Sequence, residues 1–431
     1  MDLLIEKHDA LRMVLLDQRD EEGVPLQAFA ATLPVWVAPL DLQGQADPRQ
    51  AAASWMQRQL ERAFKLDGGP LFRFHLLKLE AQRFYFVVHA HHIVLDGWGI
   101  DGLCASLSQI YNALHDQRMP DLSAPSYVDF IEDDRDYRQS PRFARDQAYW
   151  LEKYRDLPEP LLLPRYRQTQ AEGPSRSGHF NYSFSRDLEN RIDDLAGRLQ
   201  ASRFHVLLAA LYVYFTRTHQ RDELVIGLPI LNRSNASFKK TLGCLPSSAC
   251  CACVSATIYR LPSWCRALPG GQAGLPQPAF PGQRSQPLAG VAPHRAHATV
   301  RPDVLLRTAP PSVAFRAANA RSVKCSNNHE QTPLAIHLRT NAYDDEARLH
   351  YIYNEAYFQA EQIEPMAERL QHVLDQGLAD EQLAVRAFAL TTALKTSSCR
   401  RGMPASSSLS RTAPSISSSK PVPRSGRRPW R

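Results

Sequence analysis

The chain has 431 residues, a formal net charge of +7 at pH 7, a sequence pI near 9.0 and eight cysteines. Since one domain typically spans about 100–200 residues, this length predicts two subdomains with separate cores. The longest apolar run, residues 206–215, is shorter than the roughly 20 residues that cross a bilayer, and no secretory leader pattern is visible, so we expect a cytoplasmic protein with no membrane partner.

The positive charge is concentrated in two segments. Residues 253–329 hold nine Lys or Arg against one acid, and residues 382–431 hold ten and no acid. Without these segments, which carry +8 and +10, the rest of the chain has a net charge of −11. The basic pI therefore does not belong to the patterned part of the chain, and it does not indicate a nucleic-acid partner.

Both basic segments are rich in proline and lack helical or strand periodicity. They fit either a disordered linker, whose composition usually includes Glu, or a shifted reading frame, because GC-rich DNA read out of frame yields Arg, Pro, Ala, Ser and Gly. The abrupt loss of pattern after Gly243 and its return near Glu330 favour the frameshift. We therefore expect residues 244–329 to be aberrant or disordered, and residues 386–431 to be a disordered basic tail.

The first patterned segment begins with a helix. Asp47 before Pro48, with Gln50 three residues later, is typical of a helix start. The predicted apolar face consists of Trp55, Met56, Leu60 and Phe64.

Two strands and a second helix follow this helix. Residues 71–79 alternate between apolar and polar, and residues 83–93 are rich in Phe, Tyr and Val, which predicts two strands. Apolar residues from 100 to 114 recur at helical spacing, so an amphipathic helix is expected directly after Gly97. The predicted order is strand, tight turn, helix.

The later part of the chain mixes the same two patterns. Helices are predicted at 188–199, 204–215 and 363–373, and strands at 224–231, 334–338 and 349–353. Cys250 and Cys253 have C-x-x-C spacing, but no second such pair accompanies them, so we expect unpaired thiols and no zinc site. The fold class is mixed α/β, with two copies of a sheet plus helices.

The residue pattern with the clearest chemistry is the adjacent pair His91 and His92, followed by Asp96 and Gly97. Neighbouring residues of a strand point to opposite faces, so a metal site built from both histidines is not expected. A hydrogen-bonded core histidine is the simpler interpretation of His91. Because a neutral imidazole accepts a proton near pH 7, His92 is the candidate base or amine-positioning group.

Asp96 and Gly97 lie at the predicted start of the next helix. Asp96 fits either a plain N-cap or a catalytic carboxylate. Gly97 allows the backbone to approach a substrate closely, and its N–H group is placed to face an oxyanion. Both interpretations of Asp96 stay open at this point.

The pattern H-H-x-x-x-D-G at residues 91–97, following an apolar strand, resembles the condensation-domain family of nonribosomal peptide synthetases. Three other segments fit in order: KHDALR at 7–12 resembles R-H-E-x-L-R, YVDF at 127–130 resembles Y-x-D-F, and 226–233 resembles the approach to the family's next motif. The resemblance covers residues 1–243 and 330–385.

The resemblance implies a fold like chloramphenicol acetyltransferase, with two subdomains, 1–165 and 175–385, in a V around a central tunnel. The second subdomain is expected to be incomplete. The implied activity is amide formation between a donor acyl or peptidyl thioester and an acceptor aminoacyl thioester. Acyl or peptidyl carrier proteins would present both on 4'-phosphopantetheine, beside an adenylation domain, and the domain itself would bind no cofactor or metal.

The resemblance also assigns site residues. The expected catalytic-site residues are His92, His91, Asp96 and Gly97, with His92 as the base or amine-positioning group and His91 in a supporting role. We predict a salt bridge between Asp96 and Arg12 that holds this loop in shape. The residues expected to line the tunnel or contact substrate are Trp98, Tyr127, Asn232 and Arg233.

This sequence departs from the family pattern in places. Lys7 and Asp9 replace an arginine and a glutamate, and the family's opening motif, first strand and first helix are expected to be absent, which would expose a sheet edge. Two alternatives to condensation stay open. One is an inactive remnant of a disrupted synthetase gene; the other, less favoured, is an epimerisation domain, whose distinguishing glutamate would fall in the aberrant segment.

Overall fold

Helices and strands alternate through the part of the chain that the computed structural model describes. This part is residues 1–391 without 22, 36, 38, 154, 156–158, 167–174, 222–223, 228–231, 234, 246–303, 309–325 and 340–346. Its α-helices are α1 Asp2–Lys7, α2 Pro48–Leu60, α3 Gly97–His115, α4 Tyr127–Gln139, α5 Pro141–Lys153, α6 Arg186–Arg198, α7 Arg203–His219 and α8 Ala360–Ala379. Its strands are β1 Met13–Arg19, β2 Pro25–Phe29, β3 Pro39–Asp41, β4 Phe72–Glu80, β5 Arg83–Ala90, β6 Ser177–Ser183, β7 Val304–Thr308, β8 Leu334–Arg339 and β9 Arg348–Asn354.

The first sheet has the strand order β3-β4-β5 in the described residues, with β3 parallel to β4 and β4 antiparallel to β5. Phe72 and Phe74 of β4 pack on one face, in a core that includes residues of α1 and α3. Leu77 and Leu79 pack on the other face with Ala52 of α2. Because alternate strand residues point to opposite faces, one strand anchors helices on both sides of the sheet.

Helix α2 begins where the sequence predicts and ends earlier. The Asp47 carboxylate accepts hydrogen bonds from two backbone N–H groups of the first turn, each at 3.0 Å, and Pro48 occupies the first position, where a missing N–H costs nothing. The helix ends at Leu60. Phe64 therefore does not continue its apolar face; its ring centroid lies 4.1 Å from the Arg73 guanidinium carbon instead.

Strand β5 ends at Ala90, three residues earlier than predicted. The His91 N–H still donates to Leu71 O at 2.8 Å, and the chain then turns, with Val94 N–H donating to His91 O at 3.0 Å. Strand alternation therefore does not govern the directions of His91 and His92. The sequence prediction of a strand through both histidines was wrong on this point.

The segment 7–12 fastens the start of the chain to two helices. The Lys7 ammonium donates to a carbonyl of the α3–α4 loop at 2.6 Å, and His8 Nε2 lies 2.9 Å from Ser106 Oγ of α3. The Asp9 carboxylate accepts from two donors at the start of α4. Lys7 and Asp9 therefore both make anchoring contacts in this segment.

The second sheet has the order β6-β9-β8-β7, with β7 and β8 parallel and the other pairs antiparallel. Leu349, Tyr351 and Tyr353 of β9 lie in one core with residues of α6, α7 and α8. Every residue of α7 from Val206 to Phe215 is buried, as its all-round apolar sequence predicts. The predicted strands at 334–338 and 349–353 and the helix at 363–373 are confirmed.

Some sequence predictions fall partly outside the described residues. In the predicted strand 224–231, Leu224 and Ile226 are buried, residues 224–226 have no strand assignment, and 228–231 are not described. Within the segment 244–329, strand β7 pairs with β8, and residues 244–245 and 326–329 are also described. The rest of that segment, and the tail from 392, lie outside the described residues, so their predicted disorder stays a prediction.

Candidate active site

The loop of residues 91–97 joins β5 to α3, and Asp96 forms the N-cap of that helix. Its Oδ1 accepts a hydrogen bond of 2.6 Å from Gly99 N–H. A carboxylate here satisfies a free backbone donor and lies at the positive end of the helix dipole. The predicted N-cap role of Asp96 is therefore present.

The same carboxylate forms a buried ion pair with Arg233. Arg233 Nη1 lies 2.9 Å from Oδ2, and Nη2 lies 3.1 Å from Oδ1, so the pairing is bidentate. The two side chains are only 1% and 8% exposed. Because the Asp96 oxygens accept from Gly99 and Arg233 in a buried position, this residue holds the loop in place.

The predicted salt bridge between Arg12 and Asp96 is wrong. Arg12 donates to three backbone carbonyls instead, of Ile5 at 2.5 Å, Glu6 at 2.8 Å and Ala30 at 3.1 Å. These bonds hold the guanidinium beside α1 and the end of β2. Arg12 supports the start of the chain, while the loop is supported by an arginine 137 positions after Asp96.

Residues 232–233 and 235–245 lie against the loop and fasten it. Trp98 Nε1 donates to Lys239 O at 2.9 Å, and Tyr127 Oη donates to Cys244 O at 2.8 Å. Three apolar residues of this segment, Phe238, Leu242 and Leu245, are buried in the core of the first sheet. The sequence boundaries place this segment in the second subdomain, whereas its side chains complete the first core. We call residues 232–245 the crossing segment.

Glycines allow the crossing segment to lie against α3. A Cβ atom on Gly99 would stand 2.8 Å from Gly243 O, and one on Gly243 would stand 2.4 Å from a ring carbon of Tyr127. Gly243 also has φ of +154°. Gly99 therefore allows the backbone of the crossing segment to approach α3, and Gly243 leaves room for the Tyr127 ring.

The His91 side chain is turned back onto its own loop. Its Nδ1 accepts a hydrogen bond of 3.2 Å from Ile93 N–H, and its ring centroid lies 6.0 Å from that of Phe64. Burial, and secondly the neighbouring His92, lower the pKa of His91. A neutral ring that carries its proton on Nε2 fits this contact, so His91 stabilises the turn, as its interpretation as a hydrogen-bonded histidine predicts.

His92 is exposed, in contrast to the buried residues 94–96 that follow it. Its Nδ1 lies 3.8 Å from Cys244 Sγ of the crossing segment. Gly97 is also exposed, and a Cβ added there would meet no atom within 4 Å. The loop thus presents an imidazole and an open patch of backbone at its surface, while Val94, Leu95 and Asp96 anchor it.

The four residues predicted to line the tunnel differ in how exposed they are. Tyr127 is 7% exposed and Arg233 is 5% exposed, so both side chains are buried. Burial raises the pKa of the Tyr127 phenol above its usual value. Trp98 is partly exposed beside Arg233. Asn232 is exposed and has φ of +48°, a conformation that asparagine tolerates better than most residues.

Sequence reasoning missed the roles of Cys244, Gly99 and Gly243. The cysteine was interpreted as incidental, and no spacing rule connects residue 244 with residue 92. Arg233 was predicted to line the tunnel, and its position shortly after the apolar run 224–231 did not distinguish it from Arg12 as the partner of Asp96.

No group of three or more His, Cys, Asp or Glu side chains suited to a metal ion occurs in the described part of the chain. Among the helices whose residues are described, none combines the length and the apolar character that crossing a bilayer requires.

The family of the chain follows from comparison with known proteins. A family model described as Condensation domain matches residues 1–247, which is more than half of the chain and includes both the loop and the crossing segment. The chain belongs to the condensation-domain family. The curated relatives of this condensation domain are nonribosomal peptide synthetases.

Two such relatives come from bacteria. A plipastatin synthase of Bacillus subtilis (strain 168) is 29% identical over 195 residues, which are 45% of this chain and 8% of that protein. A linear gramicidin synthase of Brevibacillus parabrevis is 28% identical over 244 residues, 56% of this chain and 3% of that protein. The chain therefore spans a small fraction of the length of the multidomain synthetases that it matches.

Solved condensation domains share the fold. The first condensation domain of the calcium-dependent antibiotic synthetase has a TM-score of 0.73 at 22% identity, covering 91% of this chain and 89% of that one. The starter condensation domain of rhizomide synthetase has a TM-score of 0.67 at 20% identity, covering 90% and 89%. The predicted α/β class and the predicted family are confirmed.

Proposed function

We propose that this chain catalyses amide bond formation between two thioester-bound substrates, with His92 as the catalytic residue. The observation that supports the proposal most strongly is that one loop contains both an exposed histidine and a buried, paired aspartate. His92 is exposed, while Asp96 beside it is locked to Arg233 and to the start of α3. A rigid loop that presents a single imidazole suits a group that must meet two reactants in a fixed geometry.

The proposed chemistry is aminolysis of a thioester. The amine of the acceptor attacks the carbonyl carbon of the donor, a C–N bond forms, the C–S bond breaks, and the amine proton ends on the departing thiol. His92 contributes either by accepting that proton or by hydrogen bonding to a reacting group, an effect typically worth about 10²–10⁴ in rate. The exposed Gly97 leaves room for substrate beside the imidazole.

The proposed substrates are carried by other proteins. Condensation domains of nonribosomal peptide synthetases act on substrates bound to carrier proteins. For this chain we propose acyl or peptidyl and aminoacyl groups on 4'-phosphopantetheine, supplied by donor and acceptor carrier proteins with an adenylation domain in the cytoplasm. A starter condensation domain of similar fold was solved with C8-CoA and Leu-SNAC, which supports small thioesters as probes.

The test is single-turnover amide formation from an acyl-pantetheine donor and an aminoacyl-pantetheine acceptor, followed by mass spectrometry. We expect the purified chain to form amide above the uncatalysed rate, and His92→Ala to lose about 10²-fold or more of that rate. His115→Ala is the matched control, because His115 is an exposed histidine at the end of α3. A cooperatively folded protein that yields no amide would contradict the proposal and favour a remnant.

A separate assay without the donor thioester distinguishes epimerisation from condensation. When the aminoacyl thioester alone is incubated in D₂O, an epimerase incorporates deuterium at Cα, whereas condensation does not require removal of the Cα proton. We expect no His92-dependent incorporation above background. Deuterium uptake without amide formation would overturn the assignment.

A further inference from the structure

The thiol of Cys244 lies next to His92, although the two residues are 152 positions apart. Its Sγ is 3.8 Å from His92 Nδ1, a separation at which a thiol forms a weak hydrogen bond. The thiol is held in place by its backbone, because Cys244 O accepts from Tyr127 Oη and the following residue, Leu245, is fully buried. The contact is therefore a property of the anchored crossing segment.

The protonation state of the Cys244 thiol decides which group donates in this hydrogen bond. Burial, with Asp96 as the next contribution and Arg233 partly opposing it, raises the pKa of Cys244 to about 11. The group is then a thiol at neutral pH, and its S–H is available as a donor. An imidazole nitrogen with a free lone pair is a better acceptor than a thiol sulfur, so the proton lies between Sγ and Nδ1, bonded to sulfur.

We infer that Cys244 is a positioning residue that sets the tautomer of His92. An S–H donor at Nδ1 requires that nitrogen to be unprotonated, so the neutral ring carries its proton on Nε2. The inference rests on the proposed function and refines it. In this tautomer Nε2, on the far side of the ring from Cys244, is a donor and is unable to accept the amine proton.

The consequence for the reaction is a specific role for His92. Nε2–H hydrogen bonds to the carbonyl oxygen of the donor thioester and stabilises the negative charge that forms there as the amine attacks. When the C–S bond breaks, the carbonyl is restored and the departing sulfur takes the proton that the attacking nitrogen loses. No net proton passes through His92, and all atoms balance without a co-reactant.

The experiment is long-range ¹H–¹⁵N NMR of protein with ¹⁵N-labelled histidine, with the His92 signals assigned from a His92→Gln variant. We expect the protein to show His92 protonated at Nε2, Cys244→Ala to show a mixture of tautomers, and Cys244→Ser to keep the Nε2–H form, because serine restores a donor. Cys104→Ala is the matched control, a cysteine of α3. A Nδ1–H tautomer in the unmutated protein, or the same spectrum in Cys244→Ala, would overturn the inference.

Kinetics give a second readout. Cys244→Ala is expected to lower kcat for amide formation by about 2- to 10-fold, the usual effect of losing one neutral hydrogen bond, with KM nearly unchanged and with recovery in Cys244→Ser. Unchanged kcat in Cys244→Ala, with an unchanged melting temperature, contradicts the inference. The NMR measurement needs no turnover, so an inactive protein with the Nε2–H tautomer would contradict the proposed function and leave the thiol–imidazole contact established.

Discussion

The Asp96 carboxylate performs two structural tasks at one buried position. It caps α3 through Gly99 N–H and neutralises Arg233. A buried bidentate pair is poor evidence of net stability, since desolvation offsets much of the attraction. Removal of one partner is nevertheless strongly destabilising, because the charge of the other partner is left buried without compensation.

We therefore expect Asp96→Asn to destabilise the fold by about 3–5 kcal/mol, and Arg233→Met to cost a comparable amount. The double variant should lose less than the sum of the two. Urea unfolding of the four proteins measures this coupling. Asp116→Asn is the control, because Asp116 pairs with Arg118 at the surface. Loss of a surface ion pair is expected to cost about 0–1 kcal/mol of stability. Equal losses of stability in Asp96→Asn and Asp116→Asn would contradict the buried-pair interpretation.

His8 makes stability depend on pH. It is 3% exposed, and burial, followed by the charge of Lys7, lowers its pKa to about 4 from 6.5. Between pH 6.5 and pH 4, His8 is protonated in the unfolded chain but not in the folded chain. The stabilisation is therefore fully present above pH 6.5 and is lost as pH falls toward 4, by about 3 kcal/mol in total.

The measurement is the free energy of unfolding in urea at several pH values between 7.5 and 4.5. His8→Gln should have a shallower dependence over this window than the unmutated protein. His115→Gln, at an exposed histidine, should leave the slope unchanged. Because burial also lowers the pKa of His75, His89 and His91, part of the slope should remain in His8→Gln.

At the scale of elements, the first turn of α3 contains two glycines, Gly97 and Gly99, whose surroundings differ. Gly97 faces open space, whereas a Cβ on Gly99 would meet the backbone of Gly243 at 2.8 Å. Gly97→Leu is expected to keep the melting temperature within about 2 °C and to lose amide formation, because it fills the space beside His92. Gly99→Ala should instead lower stability by about 1–3 kcal/mol through overpacking.

Thermal unfolding and single-turnover assays of both variants separate these effects. An active Gly97→Leu would show that substrate does not approach the loop from this side. A Gly99→Ala protein as stable as the unmutated one would show that the crossing segment shifts easily away from α3.

The elements that the sequence predicted well are those with strong local signals. Asp47 and Pro48 define the start of α2, and the apolar repeats define α3 and α6 because helical and strand periods differ. Element ends were less accurate: β5 stops at Ala90, and beyond it His91 makes one more backbone hydrogen bond, to Leu71 just before β4. No local pattern encodes where a ladder of hydrogen bonds ends.

The site was predictable where it depends on a contiguous motif and not where it depends on distant contacts. The motif placed His92, Asp96 and Gly97 in one loop, as observed. It did not identify Arg233 as the partner of Asp96, because Arg12 was an equally plausible cation before the fold was known. Cys244 was likewise invisible, since only the fold brings it to His92.

At the scale of the whole molecule, the second core closes through the last described residues. Phe388 is fully buried and its carbonyl accepts from Arg217 Nε at 3.1 Å. We expect a chain that ends after Leu390 to unfold at the same temperature as the full chain. A chain that ends after Ala379 should lose about 3–5 kcal/mol, the usual cost of removing a buried phenylalanine.

Circular dichroism melts of the three lengths test this. A lower melting temperature for the chain ending at Leu390 would show that residues beyond it contribute to the fold. An unchanged temperature for the chain ending at Ala379 would contradict the packing of Phe388.

The ion pair between Asp96 and Arg233 also bears on how the protein is made. A ribosome that has just added Asp96 has made the acid but not the base that neutralises it, and 137 further residues must be added to reach Arg233. Until then the carboxylate has to stay hydrated and the loop unfinished. We therefore expect the first core of the nascent chain to become resistant to proteolysis only after the crossing segment has been made. A translation pause before residue 245 should then leave this core sensitive to protease for longer than a pause after residue 245.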